Sequence, residues 1–322
     1  MPTSLQGPIL LTGAAGFIGS HVAAALGRAG AEVVGVDNFD PFYSRATKQA
    51  NLAAAGLSAF VEVDIADPAE ARRAFAAHRP RGVIHLAAKA GVRPSIADPA
   101  GYMRANVLGT QVVLECCKQI GCERVVVASS SSVYGNAARV PFSEEADVSS
   151  PISPYAASKK ACELIGHCHH HLTGMPTAML RFFTVYGPRQ RPDLAISMFL
   201  AKVAAGEPID VFGDGSTSRD YTYIDDIVAG VLAAYERIDR HGYRVWNLGG
   251  NQPVTLSTMV ETIGKVVGRE PVVRRKPMQP GDVDRTCADL SRSGRELGYA
   301  PATGFEEGVR RQWEAVAAGA AR

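Results

Sequence analysis

Neither sign of charge dominates this 322-residue chain: 34 Lys and Arg stand against 32 Asp and Glu, a formal net charge of +2. That balance excludes a polycation built to coat nucleic acid and leaves only local patches open. The six cysteines (Cys116, Cys117, Cys122, Cys162, Cys168 and Cys287) form no CxxC pair and lack the density of a secreted disulfide scaffold. Reduced thiols in a cytoplasmic protein are the expectation. No stretch reaches the roughly 18 consecutive apolar residues of a membrane span. The apolar segment 8–30 has no basic flank, and Gly13, Gly16 and Gly19 interrupt it evenly, which argues against a signal peptide. Internal repeats and low-complexity tracts are missing too. With 46% hydrophobic and 20% charged residues, the chain is an ordinary globular one. Its length lies just beyond the roughly 250–300 residues at which a single core stops growing, so one large domain with a smaller lobe is expected.

What is present is a rhythm. Residues 9–13, 32–37, 59–65, 82–88 and 124–130 read as buried strands, separated by Ala- and charge-rich stretches of helical length. Continuous apolar strands alternating with helices predict a parallel sheet covered on both faces. A sixth strand at 177–183 follows a long helix beginning near Pro154. After Thr184, Gly and Pro break the chain into shorter pieces, while a helix over 225–237 and a strand over 244–250 return to the sheet. The expected fold is α/β, a Rossmann-type doubly wound parallel sheet with a smaller mixed α/β lobe. Residues 1–183 and 222–250 are assigned to the nucleotide-binding domain, and 184–221 and 251–322 to the lobe.

Gly13, Gly16 and Gly19 directly follow the first strand and open the first helix. Glycine allows a tight turn and close backbone approach to a pyrophosphate, and the helix N-terminus offers N–H groups and a positive dipole end. The spacing is GxxGxxG rather than the commoner GxGxxG, and three glycines alone are weak evidence. Asp37 adds to them. It ends the second strand, where a carboxylate can accept from both adenosine ribose hydroxyls. Asn38 and Phe39 supply no cation for a 2′-phosphate, so NAD is favoured over NADP. Asp64, ending the third strand, is placed for the adenine amino group.

Ser129, Ser130, Ser131 and Ser132 follow the fifth strand, at the carboxyl end of the sheet where open α/β folds bind ligands. Tyr155 and Lys159 come next on a helix, at i and i+4, and therefore share a face. The lysine charge, helped by the cationic nicotinamide ring, is expected to favour the phenolate and lower the tyrosine pKa toward a useful range. YxxxK alone is common; in this order after a glycine turn and a serine-bearing strand end, it is a strong signal.

With these motifs in this order, the chain resembles the extended short-chain dehydrogenases/reductases of the NAD-dependent epimerase/dehydratase family, from Gly13 to about Asp282. The resemblance implies Tyr155 as base, Lys159 as its partner and Ser130 as the hydroxyl steering the sugar 4-OH, with Ser129 and Ser131 still open beside it. It implies that Phe17, Ile18, Ile65, Leu86, Ala87, Ala88, Asn106, Ser129, Phe182 and Val185 line the cofactor. Homodimers that pair through helices near 100–118 and 154–172 belong to the same implication.

Family dehydratases and UDP-xylose-forming decarboxylases carry an acidic residue immediately before Val-Tyr-Gly, where this chain has Ser132. A 4-epimerase needs no such group. Segment 181–195 is similar to the UDP-glucuronate 4-epimerase pattern. It implies Thr184 and Arg191 at the sugar carboxylate, a geometry that suits a guanidinium fork, with Arg93 a second candidate for carboxylate or diphosphate. Arg219, Tyr221, Gln279, Asp282 and Arg285 match the segments that bind the UDP moiety; the plain alternative for Arg219 and Arg285 is solvated surface charge. The rival readings are a UDP-glucose/UDP-galactose 4-epimerase, then a decarboxylase, and, in a different class, a non-catalytic NAD-binding scaffold. His167, His169, His170 and His171 look metal-like, but without a third ligand of suitable spacing a helix face or subunit interface is expected, and no metal.

Overall fold

Alternation at the first strand shows how the sheet is buried. In β1 (Ile9–Thr12), Ile9 and Leu11 enter one core and Leu10 the other, because successive strand side chains point to opposite faces. The structure, a computed structural model, describes residues 5–137, 139–277 and 283–320. From the N-terminus, β1 leads through α1 (Phe17–Arg28), β2 (Val33–Asp37), α2 (Arg45–Ala53), β3 (Ala59–Glu62), α3 (Pro68–His78) and β4 (Gly82–His85). Then come α4 (Val92–Ala97), α5 (Pro99–Tyr102), a π-helical stretch Met103–Leu108, α6 (Gly109–Ile120) and β5 (Arg124–Ser130). A 3₁₀ turn, Ser131–Tyr134, precedes α7 (Pro154–Thr173), β6 (Thr177–Phe182) and β7 (Thr184–Tyr186). The remainder is α8 (Ala195–Ala205), β8 (Ile209–Phe212), β9 (Ser218–Tyr223), α9 (Ile224–Arg237), β10 (Tyr243–Leu248), β11 (Pro253–Thr255), α10 (Leu256–Val267), β12 (Val273–Lys276), α11 (Ser291–Leu297) and α12 (Phe305–Ala320).

Seven strands form one parallel sheet in the order β10-β6-β5-β4-β1-β2-β3. Strand order reverses between β1 and β4, which makes the carboxyl ends of those strands the expected ligand crevice. Helices α3, α6 and α7 contribute to the core on one face, and α1 and α9 to the core on the other. The predicted strands run shorter at their carboxyl ends: β3 stops at Glu62 and β4 at His85. Residues 63–65 and 86–88 leave the ladder and wall a cavity instead.

Beyond β6, short strands form a three-stranded sheet, β11-β9-β7, and a parallel pair, β12-β8. Among the described residues, these pieces pack into the core of the main sheet. Phe199 and Leu200 of α8, Ile209 of β8, Ile263 of α10 and Val309 of α12 belong to the cluster that holds Leu26 of α1 and Leu180 of β6. Among the described residues, no helix is long and apolar enough to cross a membrane.

Candidate active site

The glycine turn is built by close approach. Gly13 has a φ of +72°, and a Cβ there would sit 2.8 Å from the Ala87 nitrogen. A Cβ on Gly19 would sit 2.0 Å from the Gly13 carbonyl oxygen, so α1 starts where only glycine lets it. Gly16 is the N-cap of α1 and supplies no side-chain acceptor, leaving the first-turn N–H groups for an anion. This cradle fits a dinucleotide pyrophosphate.

Around it lies a cavity of about 370 Å³ at the carboxyl ends of β1, β2, β4, β5 and β6. Every sequence-predicted cofactor residue except Asn106 lines it. Asp37 accepts the Ala15 N–H at 3.1 Å and the Phe39 N–H at 2.8 Å, which ties its carboxylate to the turn, while burial pushes its pKa up. Asp64 is held by Arg104 at 2.8 Å and by the Ala66 N–H at 2.9 Å. Asn106 is a correction: it is buried behind the wall. Its amide oxygen accepts the Lys89 N–H, and its NH₂ donates to the Lys89 carbonyl and Ser158 Oγ, so it fixes the strand exit rather than lining the cavity.

Sequence reasoning missed the flap after β2. Asp40, Phe42, Tyr43 and Lys48 all line the cavity. Lys48 brings a cation close to Asp37 although none stands at positions 38 or 39; its Nζ is committed to the Asp40 carbonyl at 2.7 Å. The flap has no periodic signal, and only its folding back over the ligand crevice gives it a role.

Ser130, Tyr155 and Lys159 come together on the same cavity. Ser153 caps α7 by accepting the Ala156 N–H, and Ser95 Oγ accepts the Tyr155 N–H at 3.1 Å, so the first turn is doubly anchored. The Tyr102 ring packs edge-on against Tyr155, at 6.1 Å. Ser129 Oγ donates to Glu163 at 2.8 Å, inside a buried pair with Arg181, whereas Ser130 Oγ donates to Ser132 Oγ and accepts its N–H.

Burial works against the expected lysine effect. Tyr155 is shifted up, because burial outweighs the Ser130 hydrogen bond and the Arg191 charge that pull it down. Lys159 is itself shifted down by burial, and its Nζ donates to the Ala128 carbonyl at 2.8 Å. The groups that oppose the rise at Tyr155 are therefore Ser130 and Arg191.

A second cavity, about 480 Å³, adjoins the first through Phe42, Gly91, Thr184, Arg191 and Leu194. Arg93, Ser131, Ser132 and Arg219 line it. Tyr221 does not line it; its half-buried ring packs on Tyr186 and Phe305. Arg285 is exposed, lines neither cavity and bridges to Ser218 through its backbone. Gln279 and Asp282 lie outside the described residues. The histidines of α7 scatter around its axis: His167 packs edge-on against Tyr243, His169 is buried and His170 Nδ1 meets the Met175 carbonyl. Among the described residues, no three His, Cys, Asp or Glu side chains gather as a metal site.

Comparison with known proteins places this geometry. Residues 9–249 match the NAD dependent epimerase/dehydratase family. The chain is 42% identical over 323 aligned residues to a probable UDP-glucuronate 4-epimerase of Rhizobium meliloti, covering 94% of each chain. It is similar to the crystal structure of UDP-glucuronic acid 4-epimerase from Bacillus cereus in complex with UDP-glucuronic acid and NAD. There the TM-score is 0.90 with 34% identity, over 97% of this chain and 99% of that one. UDP-glucose 4-epimerase from Thermotoga maritima, with UDP-glucose, gives a TM-score of 0.89 at 34% identity, over 97% and 99%.

Proposed function

The chain belongs to the NAD-dependent epimerase/dehydratase family, and from that premise we propose that it interconverts UDP-glucuronate and UDP-galacturonate by 4-epimerisation. The observation that carries the reading is the convergence of Ser130, Tyr155 and Arg191 on the cofactor cavity, with Arg191 and Thr184 shared by the sugar-side cavity. NAD, bound along Gly13–Gly19 and Asp37, supplies a hydride acceptor that becomes the donor in the return step. Tyr155 takes the proton of the sugar 4-OH as C4 is oxidised and gives it back after the ketone has turned its other face. Ser130 holds that oxygen by hydrogen bonding. Lys159 stays anchored on Ala128 and keeps a buried positive charge beside the base. No acid stands at positions 129–132 to serve C5 chemistry, which favours epimerisation over dehydration. A β-keto acid loses CO₂ when its C–CO₂⁻ bond aligns with the ketone; Arg191, Thr184 and the serines keep it out of alignment.

Residues 184–221 and 251–322 form the sugar-nucleotide part of this reading, with Arg93 and Arg219 toward the diphosphate, and Gln279, Asp282 and Arg285 toward the nucleoside end. A cytoplasmic homodimer completes it. Six unpaired cysteines support the reducing location. Apolar side chains left in solvent on the two helical segments support the pairing: Leu108 is 42%, Leu164 56% and Leu172 80% exposed.

The second reading, a neutral UDP-hexose 4-epimerase, draws on the equal likeness to the Thermotoga maritima enzyme. Incubation with UDP-glucuronate, UDP-glucose and UDP-xylose separately, followed through the anomeric protons by NMR, decides between them. Selective appearance of UDP-galacturonate is expected. Preferential turnover of a neutral sugar overturns the substrate assignment.

A further inference from the structure

The guanidinium of Arg191 is occupied before any sugar arrives. Asp193 takes its Nε–Nη2 edge, accepting at 2.9 and 2.6 Å. The Phe42 ring lies 4.7 Å from the guanidinium carbon, and Nη1 leans toward the Ala90 carbonyl at 3.4 Å. Arg191 and Asp193 both line the sugar-side cavity. The arginine side chain is only 15% exposed, while its aspartate partner is 40% exposed.

A guanidinium has two edges for bidentate pairing with a carboxylate. An anionic sugar reaching Arg191 therefore either displaces Asp193 from the first edge or binds along Nη1 with a like charge on the opposite side. Both routes set Asp193 against the incoming carboxylate, since like charges brought together across a binding site cost affinity. A neutral hexose meets no such opposition. We propose that Asp193 is a specificity-determining residue, an internal carboxylate that competes for Arg191, loosens its hold on an anionic UDP-sugar and narrows the preference over neutral ones. The proposal rests on the assignment of the sugar carboxylate to Arg191. Its use is in turnover: substrate and product carry the same carboxylate, and Asp193 reclaims the fork as either one leaves.

The test is calorimetric titration of the NAD-loaded protein with UDP-glucuronate and with UDP-glucose. Asp193→Asn keeps the side-chain shape and one acceptor for the guanidinium while removing the charge. UDP-glucuronate is expected to bind about fivefold tighter to this variant, the scale of a partly exposed ion pair, with UDP-glucose affinity unchanged. Unchanged UDP-glucuronate affinity overturns the proposal, as does weakening of both sugars together, which marks a purely structural aspartate. Arg191→Gln, measured in parallel, separates the two levels. If it leaves UDP-glucuronate affinity intact, the carboxylate assignment itself fails. If it costs affinity while Asp193→Asn brings no tightening, only the role of Asp193 falls.

Discussion

Replacing Gly19 with alanine sets two effects of opposite sign against each other. In an open helix the change stabilises by about 1 kcal/mol, because glycine is the poorer helix former. Here the new Cβ would lie 2.0 Å from the Gly13 carbonyl oxygen and 2.8 Å from its carbon, where real Cβ contacts essentially never fall below 3.0 Å. Both contacts are backbone, so no rotamer relieves them; the start of α1 and the turn must part by about 1 Å. Overpacking of that kind costs about 1–3 kcal/mol, which cancels or exceeds the helix gain. The larger loss is functional. A shift of about 1 Å takes the first-turn N–H groups out of hydrogen-bond range of a pyrophosphate, and with them goes the stabilisation a bound ligand confers, about 2.7 kcal/mol at a hundredfold excess over its dissociation constant. Purified Gly19→Ala protein should carry little NAD by absorbance after release, and added NAD should no longer raise its melting temperature. Gly56→Ala is the control: its φ is +63° but a Cβ there meets nothing within 4 Å, so strain alone, about 1–2 kcal/mol, applies and NAD is retained. A Gly19→Ala protein with full NAD content and an unchanged melting temperature would refute the close-approach reasoning.

Three further outcomes are expected. Tyr155→Phe should keep NAD yet lose turnover by about 10²–10⁴-fold, the usual worth of a positioned acid–base group; NMR showing ordinary conversion would remove Tyr155 from the chemistry. Glu163→Gln leaves the buried Arg181 facing a neutral partner and should cost about 3–5 kcal/mol in urea denaturation; a loss well under about 1 kcal/mol would mean the pair is relayed elsewhere. Hydrogen bonding from Arg244, helped by Trp246, pushes the Glu296 pKa down to about 2. A depressed carboxylate stabilises the fold above its ordinary pKa and stops doing so as pH falls through the folded value. The stability advantage over Glu296→Gln should therefore shrink between about pH 4.5 and 2 in denaturation curves; a gap that stays constant over that range would contradict the assignment.

The parts legible in the sequence are those whose physics is local. Strands buried on both faces read as unbroken apolar runs, Gly13, Gly16 and Gly19 announce a turn by spacing, and Tyr155 and Lys159 meet because a helix has 3.6 residues per turn. What escaped depends on partners far along the chain. Nothing near Ser129 indicates that Glu163, 34 residues on, takes its hydroxyl. Asn106 reads as a cofactor residue until its amide is seen holding both backbone groups of Lys89. Tyr221 shares a strand face with Arg219, yet its ring rests on Tyr186 and Phe305, two partners distant in the chain. The burial that raises the Tyr155 pKa is likewise a property of the assembled site.

The packing of the lobe into the core of the main sheet bears on how ligands enter. A hinge that swung α8, α10 and α12 away from the sheet would have to tear open the cluster joining Phe199, Ile263 and Val309 to Leu26 and Leu180. Phe42 and Arg191, which pack on each other in the wall shared by the two adjoining cavities, lie outside that cluster, so moving them would leave it intact. Such a chain would open at its rim with the vessel behind it closed. Opening the rim exposes a few side chains, whereas opening the vessel would amount to unfolding, and the two should differ accordingly in hydrogen-exchange protection.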